Sequence, residues 1–519
     1  MKQLHLFLIF TYLGILQSFG QATNPILYAD VPDVSMIRVG DTYYMSSTTM
    51  HMSPGLPIMK SKDLVNWKLI RYGYERLEVS NELNLQEGKQ AYGKGSWASS
   101  LRYHEGIYYL STFAQNTGKT HVYTTDNIET GAFNTSSFSP DLHDHTLFFE
   151  DGKVYMIWGA GTLKIVELMP DLSGIIPGTE RVLIENATLP TGKEVGLPAE
   201  GSQLFKIDGK YYLFNIAWPK GGMRSVIVHR ADALFGPYEG RLVLEDKGVA
   251  QGGLIDTPDG DWFAYLFRDF GAVGRIPYLV PVTWEEGWPI LGHNGEVPMV
   301  LDLPANQSLI PGIVASDDFQ RKKNDSDLPL VWQWNHNPAD NLWTVDRKKG
   351  VLRLTTDRVD TDFLTARNTL TQRTIGPKSM GTVKLKLDKM KDGDVAGLSL
   401  LQRDYGFIAV AVSDGRKKLV MKKATEKVES HIDEVDLDAK DVMLRAVCDF
   451  TERKDVARFF YSLDKGKTWK QLGDTLSMKY TLPHFMGYRF GLFYYASTTP
   501  SGQVEFDFFD ITDQVPEKF

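Results

Sequence analysis

Three carboxylates stand at matching places ahead of similar turns in the chain. Asp33, Asp144 and Glu200 lie seven, eight and nine residues before a glycine that sits beside an acidic residue. Carboxylates gathered in a cavity repel one another and lose hydration, so a fold does not gather them for stability. One carboxyl can protonate the departing oxygen of a glycosidic bond while a second activates water or attacks carbon. A third can orient the acid and raise its pKa.

Five similar hairpins must position these residues. The pattern appears as GDTYYM, EGIYYL, DGKVYM, DGKYYL and DGDWFA, with glycines at 40, 106, 152, 209 and 260. A turn glycine followed by aromatic and β-branched residues is typical of a β-hairpin. The steps of 66, 46, 57 and 51 residues between the glycines suit four-stranded blades with variable loops. The spacing predicts a five-bladed β-propeller, with unrelated hairpins in a sandwich as the alternative.

The start of each innermost strand faces the propeller axis. Counting back from the five glycines gives Asp33, Trp97, Asp144, Glu200 and Gln251 as equivalent positions. An indole packs against the C–H face of a sugar ring, and an amide hydrogen-bonds hydroxyls. Trp97 and Gln251 are therefore candidate substrate-binding residues, with core packing as the alternative for Trp97.

Longer stretches resemble glycoside hydrolase family 43 over residues 24–292. They are NPILYADVPDVSMIRVGDTYYM, GSWASSLRYHEGIYYL, HDHTLFFEDGKVYMIW, LPAEGSQLFKIDGKYYLF and VGRIPYLVPVTWEEGWP. The resemblance implies that Asp33 is the general base, Glu200 the general acid and Asp144 the residue that tunes and orients the acid. It also implies that Arg275 reaches the sugar and that hydrolysis proceeds by single displacement with inversion.

One departure from the family pattern concerns a metal. Gln251 stands where many relatives have a histidine beside an axial calcium site. We therefore expect no required cofactor and assign no metal ligands, with an axial calcium held by oxygen ligands as the alternative. Asp30 is interpreted as a turn or supporting residue. The other histidines are interpreted as pocket walls or polar packing, among them His51, His143 and His145.

The N-terminus predicts export. A positive Lys2, an apolar run over residues 4–16 and small residues up to Ala22 are typical of a signal peptide over residues 1–22. A buried N-terminal helix is the alternative. Cys448 is the single cysteine, so no intrachain disulfide can form. We expect a bacterial protein that is periplasmic or secreted.

Composition limits the classes of partner. A net charge of -8 and a pI near 5.8 provide no basic field for nucleic acid or anionic lipid. No later segment is long and apolar enough to predict a membrane span. We expect a neutral or weakly polar ligand, here a plant cell-wall oligosaccharide or polysaccharide.

The rest of the chain predicts a second β domain. After the propeller at residues 23–300, a linker at 301–315 leads to a β-sandwich at 316–519, where VLRLTT, GTVKLKLD and VEFDFFDI alternate as half-buried strands do. This half resembles the concanavalin-like jelly roll appended to many family 43 exo-enzymes. The sandwich could bind polysaccharide, or supply an aromatic at the pocket mouth as relatives suggest. SLDKGKTW is interpreted as a structural turn.

The function expected from these features is exo-acting, inverting release of terminal α-L-arabinofuranosyl residues from hemicellulose side chains or oligosaccharides. Arabinofuranose is favoured because GRIP at residues 274–277 and Gln251 depart from xylosidase-like members. The alternatives are a β-D-xylosidase, an enzyme that takes both sugars, an endo-acting arabinanase and a noncatalytic sugar-binding propeller. Retaining invertase-like hydrolases share the five-bladed form, but their NDPNG and RDP signatures are absent.

Overall fold

The structure is a computed structural model and describes residues 20–426, 428–481, 484–500 and 502–517. Most of the signal peptide predicted at residues 1–22 lies outside these residues. Ala22 is buried inside strand β1 (Gln21–Thr23), so a cleavage directly after Ala22 would cut that strand. Within the described residues, regular structure is β-strand apart from five single-turn 3-10 helices: Leu189–Thr191, Gly271–Val273, Asp340–Leu342, Phe363–Thr365 and Thr451–Arg453. None of the described helices is long and apolar enough to cross a membrane.

Five four-stranded antiparallel sheets follow one another along the chain, and in each the sheet order is the chain order. This arrangement confirms the predicted five-bladed propeller. The blades are β2–β5 (Ser35–Val39, Thr42–Ser46, Gly55–Ser61, Lys68–Tyr74), β6–β9 (Ser99–His104, Ile107–Ala114, Lys119–Thr125, Asn134–Phe138), β10–β13 (Thr146–Glu150, Lys153–Trp158, Leu163–Leu168, Arg181–Ile184), β14–β17 (Val195–Ile207, Lys210–Pro219, Ser225–Ala231, Glu239–Leu244) and β18–β21 (Val249–Asp256, Trp262–Asp269, Arg275–Glu285, Trp288–Leu291).

The turns between the first and second strands of each blade explain the repeated glycines. In the turns at residues 105–106, 151–152 and 208–209, both central residues have φ between 47° and 83°. Two-residue hairpin turns with positive φ at both positions match the twist of the flanking strands. Glycine adopts this conformation without a steric penalty, which is why it marks each hairpin in the sequence.

The innermost strands surround one axis. Strand β2 contacts β6 and β18, and β6, β10, β14 and β18 contact one another in turn. The segment before β2 ties the first blade to the fifth, because the amide of Asn24 donates to the carbonyl oxygens of Leu279 (2.7 Å) and Pro298 (2.8 Å). The starts of the innermost strands therefore meet at one end of the axis.

The segment between the domains is partly regular. Strand β22 (Val300–Pro304) pairs antiparallel with β1, so the predicted linker at 301–315 begins inside a strand. Further along, the carbonyl of Gly312 accepts a hydrogen bond of 3.0 Å from the backbone of Leu69 in the first blade. This segment is thus attached to the propeller at both of these points.

Two sheets form the predicted β-sandwich. The seven-stranded sheet has the order β23-β26-β36-β28-β29-β30-β31, and the eight-stranded sheet has the order β24-β25-β37-β27-β32-β33-β34, with β35 paired to β33. The strands β23 to β37 are Gln333–Trp334, Trp343–Asp346, Val351–Thr355, Leu370–Arg373, Lys378–Lys386, Asp394–Leu401, Gly406–Ser413, Arg416–Thr425, Val428–Leu437, Asp441–Asp449, Val456–Ser462, Lys470–Gln471, Leu476–Ser477, Arg489–Ala496 and Gln503–Thr512.

The seven-stranded sheet packs between the second sheet and the propeller. Every residue of β28 and β36 is buried. On one face of β36, Leu492 joins the core between the sheets, and on the other, Phe493 joins a cluster that includes Met50 and Met52 of the propeller. Strands buried on both faces do not alternate in polarity, so the alternating pattern in the sequence did not identify these two.

Hydrogen bonds also connect the two domains beside the axis. Ser53 and Trp334 exchange backbone N–H···O bonds of 3.0 and 2.6 Å. The buried guanidinium of Arg373 donates to the carbonyl of Asp30 (2.9 Å), three residues before Asp33. Both domains therefore position the backbone that carries the first carboxylate.

Candidate active site

The backbone leaves regular strand geometry where the five predicted residues stand. Asp33, Trp97 and Asp144 lie two residues before β2, β6 and β10, whereas Glu200 and Gln251 lie within β14 and β18. Asp33, Asp144 and Gln251 have φ of 51°, 47° and 53°. The pairing register shifts on both sides of Glu200 and across Gln251. A positive φ is uncommon for residues other than glycine. Like a β-bulge, it changes the direction of the side chain, and here the side chains turn toward the axis.

A small cavity lies on the axis where these residues meet. It measures about 10 Å³, and its walls include Asp33, Asp144, Gln203 and Gln251. Asp33 and Asp144 are 5% and 6% exposed. The structure thus brings two of the predicted acids and Gln251 around one buried space.

His143 connects the third acid to this group. Its Nε2 lies 3.0 Å from Oε2 of Glu200 and 3.9 Å from Oδ2 of Asp144. One donor atom from each of the three residues lies within 4.8 Å of the other two, a spacing that a cation could also occupy. Because Nε2 and Oε2 already hydrogen-bond directly, we interpret the cluster as one that shares protons. The three acids therefore converge, although they come from three blades.

Arg275 holds Asp33 in place. Its Nη1 donates to Oδ1 of Asp33 (2.7 Å) and its Nη2 donates to the carbonyl of Phe485 in the sandwich (3.0 Å). The backbone N–H of Arg275 donates to Oδ1 of Asp30 (2.8 Å). The preceding Gly274 has φ of 104°, and a Cβ there would lie 2.1 Å from that same oxygen, so only glycine fits. Arg275 is thus bonded to the base candidate and to the second domain rather than oriented by the propeller alone.

Aromatic rings from both domains form a wall beside the acids. The half-buried indole of Trp97 lies 6.1 Å from the ring of Phe113, with the two planes inclined by 30°, and 4.7 Å from the ring of Phe485. Phe485 belongs to the sandwich and has a left-handed backbone with φ of 51°. An aromatic at the pocket mouth was one of the two roles that the sequence left open for the sandwich, and no residue was identified for it.

Burial and neighbouring charges change the protonation of this group. Burial raises the pKa of the Asp33 carboxyl, and the Arg275 guanidinium opposes this rise. Burial, opposed by His143 and assisted by the charge of Glu200, raises the pKa of Asp144 to about 7. Burial alone would lower the pKa of His143, but the charges of Asp144 and Glu200 and the hydrogen bond to Glu200 outweigh it and raise this pKa to about 9. At neutral pH an imidazolium therefore lies between two carboxyl groups.

Comparison with known families identifies both domains. The family model of glycosyl hydrolases family 43 matches residues 22–289. The chain belongs to this family. Residues 316–512 match the beta xylosidase C-terminal concanavalin A-like domain of family 43 proteins, which confirms the predicted concanavalin-like fold of the sandwich. Membership makes the chain a glycosidase, with the three converging acids as its candidate catalytic groups.

Relatives within family 43 carry more than one activity in their names. A beta-xylosidase of Formosa agariphila is 30% identical over 95% of this chain and 90% of its own length. A non-reducing end alpha-L-arabinofuranosidase of Bacteroides ovatus is 29% identical over 65% of this chain and 66% of its own. Family 43 members of known structure include a bifunctional GH43-CE protein of Bacteroides eggerthii, with 60% identity and a TM-score of 0.95, which covers 96% of this chain. This chain spans 64% of the length of that protein.

A second related structure matches this chain over its own full length. It is an engineered family 43 enzyme that displays both endo-xylanase and exo-arabinofuranosidase activity, with 29% identity and a TM-score of 0.83. The match covers 95% of this chain and 100% of that one. Both domains and their arrangement are therefore shared with family 43 structures.

The axis, where many family 43 members hold calcium, is narrow in this chain and has an arginine beside it. Calcium takes six to eight oxygen ligands at roughly 2.3–2.6 Å. A cavity of about 10 Å³ leaves no room for a calcium ion together with several bound waters, so the walls would have to supply these ligands. The guanidinium of Arg102 lies behind the cavity and donates to Oε1 of Gln203 (2.7 Å), so this wall already contains a cation that occupies the Gln203 oxygen.

Two other histidines make hydrogen bonds to neutral groups instead of to the acids, although His145 borders the axial cavity. His145 is buried, with Nδ1 donating to the carbonyl of Leu142 and Nε2 bonded to the hydroxyl of Ser111, both at 2.8 Å. His51 is buried against Asn335 of the sandwich (3.1 Å). Polar packing therefore describes His51, whereas His145 is a wall of the axial cavity. His143 differs because it hydrogen-bonds Glu200 directly. Its position next to Asp144 in the sequence was the one feature that could have indicated a place among the acids.

Proposed function

We propose that this chain is an exo-acting, inverting glycosidase that removes a terminal α-L-arabinofuranosyl residue from xylan- or arabinan-type glycans. The observation that carries the proposal is the convergence of Asp33, Asp144 and Glu200 beneath an aromatic wall formed by Trp97 and Phe485. The carboxyl groups can act as the acid and the base of glycoside hydrolysis, and the aromatic rings form a surface against which a sugar can pack.

The proposed roles follow from the surroundings of each acid. Glu200 gives its proton to the glycosidic oxygen as the bond between that oxygen and the anomeric carbon breaks. A water molecule adds to the anomeric carbon from the opposite face, and its proton passes to Asp33. Asp144, next to Glu200, carries a raised pKa and orients the acid by its proximity. Arg275 orients the Asp33 carboxylate through its 2.7 Å hydrogen bond and its positive charge.

Exo action is supported by the contribution of the second domain. Phe485 extends from the sandwich onto Trp97, and its carbonyl is bonded to Arg275 next to the base. A wall from a second domain closes one side of the site, so the site takes the end of a glycan chain rather than its interior. Endo action would require a groove that is open on both sides.

The identity of the sugar rests on two observations. The first is that Gln251 and the GRIP segment at residues 274–277 depart from xylosidase-like members, and both lie at the site. Gln251 borders the axial cavity, and Arg275 of the GRIP segment hydrogen-bonds Asp33. The second is that a related structure displays exo-arabinofuranosidase activity, which supports arabinofuranose as the sugar. A terminal β-D-xylosyl residue is the second candidate, because the Formosa agariphila relative, which covers 95% of this chain, is named a beta-xylosidase.

Parallel hydrolysis of an aryl α-L-arabinofuranoside and an aryl β-D-xyloside tests the sugar. We expect a higher kcat/KM on the arabinofuranoside, and NMR of the first-formed product should show the inverted anomer. A higher kcat/KM on the xyloside would establish the second candidate, and the retained anomer would contradict the roles given to Asp33 and Glu200. On linear arabinan, free arabinose alone indicates exo action, whereas a ladder of oligomers indicates endo action.

Variants of the acids separate an enzyme from a sugar-binding propeller. Asp33→Asn and Glu200→Gln should each lower kcat by about a thousandfold or more while ligand affinity, measured by calorimetry, stays within a fewfold. A wild-type protein that binds the sugar but turns over no glycoside would contradict the proposal. We further propose that the protein is exported to the periplasm or secreted and needs no metal cofactor. Fractionation of the native host tests the location.

A further inference from the structure

The hydrogen bond between His143 and Glu200 joins a solvent-accessible group to a sheltered one. The side chain of His143 is 36% exposed, whereas that of Glu200 is 17% exposed. The imidazole ring meets the edge of the Phe113 ring at 5.1 Å, which fixes its tilt toward the site. His143 therefore has one side against the acid and another side toward water.

The charges around His143 favour a bound proton on this pair. Oδ2 of Asp144 lies 3.9 Å from Nε2, and Asp141 adds a further negative charge on the same loop. Asp33 and Arg275 act on Asp144 from the first and fifth blades with opposite signs. An imidazolium in this position neutralises part of a strongly acidic group, and its raised pKa agrees with that position.

We propose that His143 is a positioning residue that shares the catalytic proton with Glu200 and returns a proton to it from solvent after each turnover. This inference rests on the proposed function, in which Glu200 is the general acid. It assigns to a histidine outside the three acids the task of keeping the acid loaded at neutral and alkaline pH.

The proton balance of one turnover is as follows. Glu200 loses its proton to the leaving oxygen when the glycosidic bond breaks, and Asp33 gains one from the attacking water. The Nε2 proton of His143 then moves to Oε2 of Glu200 across their 3.0 Å contact, and the imidazolium becomes neutral imidazole. Nδ1 keeps its proton throughout, so the proton that the neutral imidazole regains from water goes to the vacated Nε2, and Asp33 releases its proton to water. The net reaction is hydrolysis alone.

Two variants separate proton sharing from simple packing. His143→Gln keeps an N–H donor toward Glu200 but cannot carry the proton, and His143→Phe removes both functions. The matched control is His104→Gln, because His104 has similar exposure (37%) and lies 3.8 Å from Glu105 in a hairpin turn. Thermal unfolding of each variant verifies that the fold is intact.

The kinetic readout uses leaving groups of different acidity. For an alkyl glycoside, whose departure needs a proton, both His143 variants should lose about ten- to a hundredfold in kcat/KM near pH 8, with the alkaline limb of the profile moved to lower pH. For a dinitrophenyl glycoside, whose departure needs little help, they should stay within about threefold of wild type. His104→Gln should match wild type on both. Equal losses on both glycosides, or an unmoved alkaline limb, would overturn the inference.

A titration of His143 by NMR gives a readout that does not depend on turnover. With carbon-13-labelled histidine, the His143 resonance, assigned through its loss in His143→Gln, should titrate near pH 9 in wild type and at lower pH in Glu200→Gln. A midpoint that does not respond to Glu200→Gln would overturn proton sharing. A wild type that cleaves no glycoside but shows the coupled titration would instead contradict the proposed function alone.

Discussion

Arg275 donates a hydrogen bond of 2.7 Å to Asp33, and the side chains of the two residues are 7% and 4% exposed. Charges in such a place are stable only as a pair, because removal of one partner leaves the other buried without compensation. The pair also joins the first blade to the fifth, and Arg275 continues to the carbonyl of Phe485 in the sandwich. The base candidate is therefore oriented by three separate parts of the chain.

Replacement of Arg275 should damage stability and catalysis together. Arg275→Ala should lower the free energy of unfolding by about 3–5 kcal/mol, because Asp33 stays buried without its partner. It should also lower kcat by at least about a hundredfold. Loss of the guanidinium removes the influence that lowers the pKa of Asp33, so the acid limb of the pH–rate profile should move to higher pH. Denaturant unfolding and pH-dependent kinetics measure these effects.

The control for this variant is an exposed pair of the same type. Arg347 bonds Asp327 at 2.7 Å, with the two side chains 37% and 48% exposed. Arg347→Ala should change the free energy of unfolding by less than about 1 kcal/mol. Similar destabilisation by both variants would contradict the special role of burial at Arg275.

The aromatic from the sandwich should control binding of the terminal sugar. Phe485→Ala removes the ring that lies 4.7 Å from Trp97 and should raise KM by about tenfold or more, with a smaller change in kcat. The exposed Phe235 on the fourth blade provides the control, and Phe235→Ala should leave KM unchanged. Steady-state kinetics on the aryl glycoside measures both. An unchanged KM in Phe485→Ala would show that the sandwich does not contribute to the sugar site.

The raised pKa of Asp144 predicts how stability depends on pH. Its value of about 7 in the folded protein exceeds the ordinary 3.8, so between about pH 4 and pH 7 the folded state holds a proton that the unfolded state has released. Stability should therefore fall as pH rises through this window. Asp144→Asn, which cannot ionise, should gain about 1–3 kcal/mol relative to wild type between pH 4 and pH 7. Parallel stability profiles from chemical denaturation would contradict the raised pKa.

Removal of metal ions should not change the activity, because the guanidinium of Arg102 supplies the positive charge beside the axis. Dialysis against a chelator should leave kcat/KM within about twofold, and calcium added back should have no effect. Arg102→Met should instead lower the free energy of unfolding by about 3 kcal/mol, because Gln203 and the backbone of Leu147 lose buried donors. Activity that disappears on chelation and returns with calcium would show that an ion does bind at this axis.

Local patterns in the sequence predicted the propeller and most of the candidate site. Each hairpin turn can be recognised from two adjacent residues, because positive φ at two neighbouring positions favours glycine beside an acidic residue. Once five such turns were counted, the axis-facing positions followed by arithmetic, which placed Asp33, Asp144 and Glu200 near one another. The family resemblance added Arg275. Strands β28 and β36 were missed because burial on both faces removes the alternation that marks a strand.

The sequence by itself determined which residue types stand seven to nine positions before each hairpin glycine, because the turn from which they are counted is specified by adjacent residues. Only the tertiary structure decided what those residues touch. The partnership of His143 with Glu200, the contact of Phe485 with Trp97 and the position of Arg102 behind the cavity join blades and domains that are distant in the chain. Such contacts depend on how the blades close around the axis and where the sandwich packs, and no local pattern specifies either.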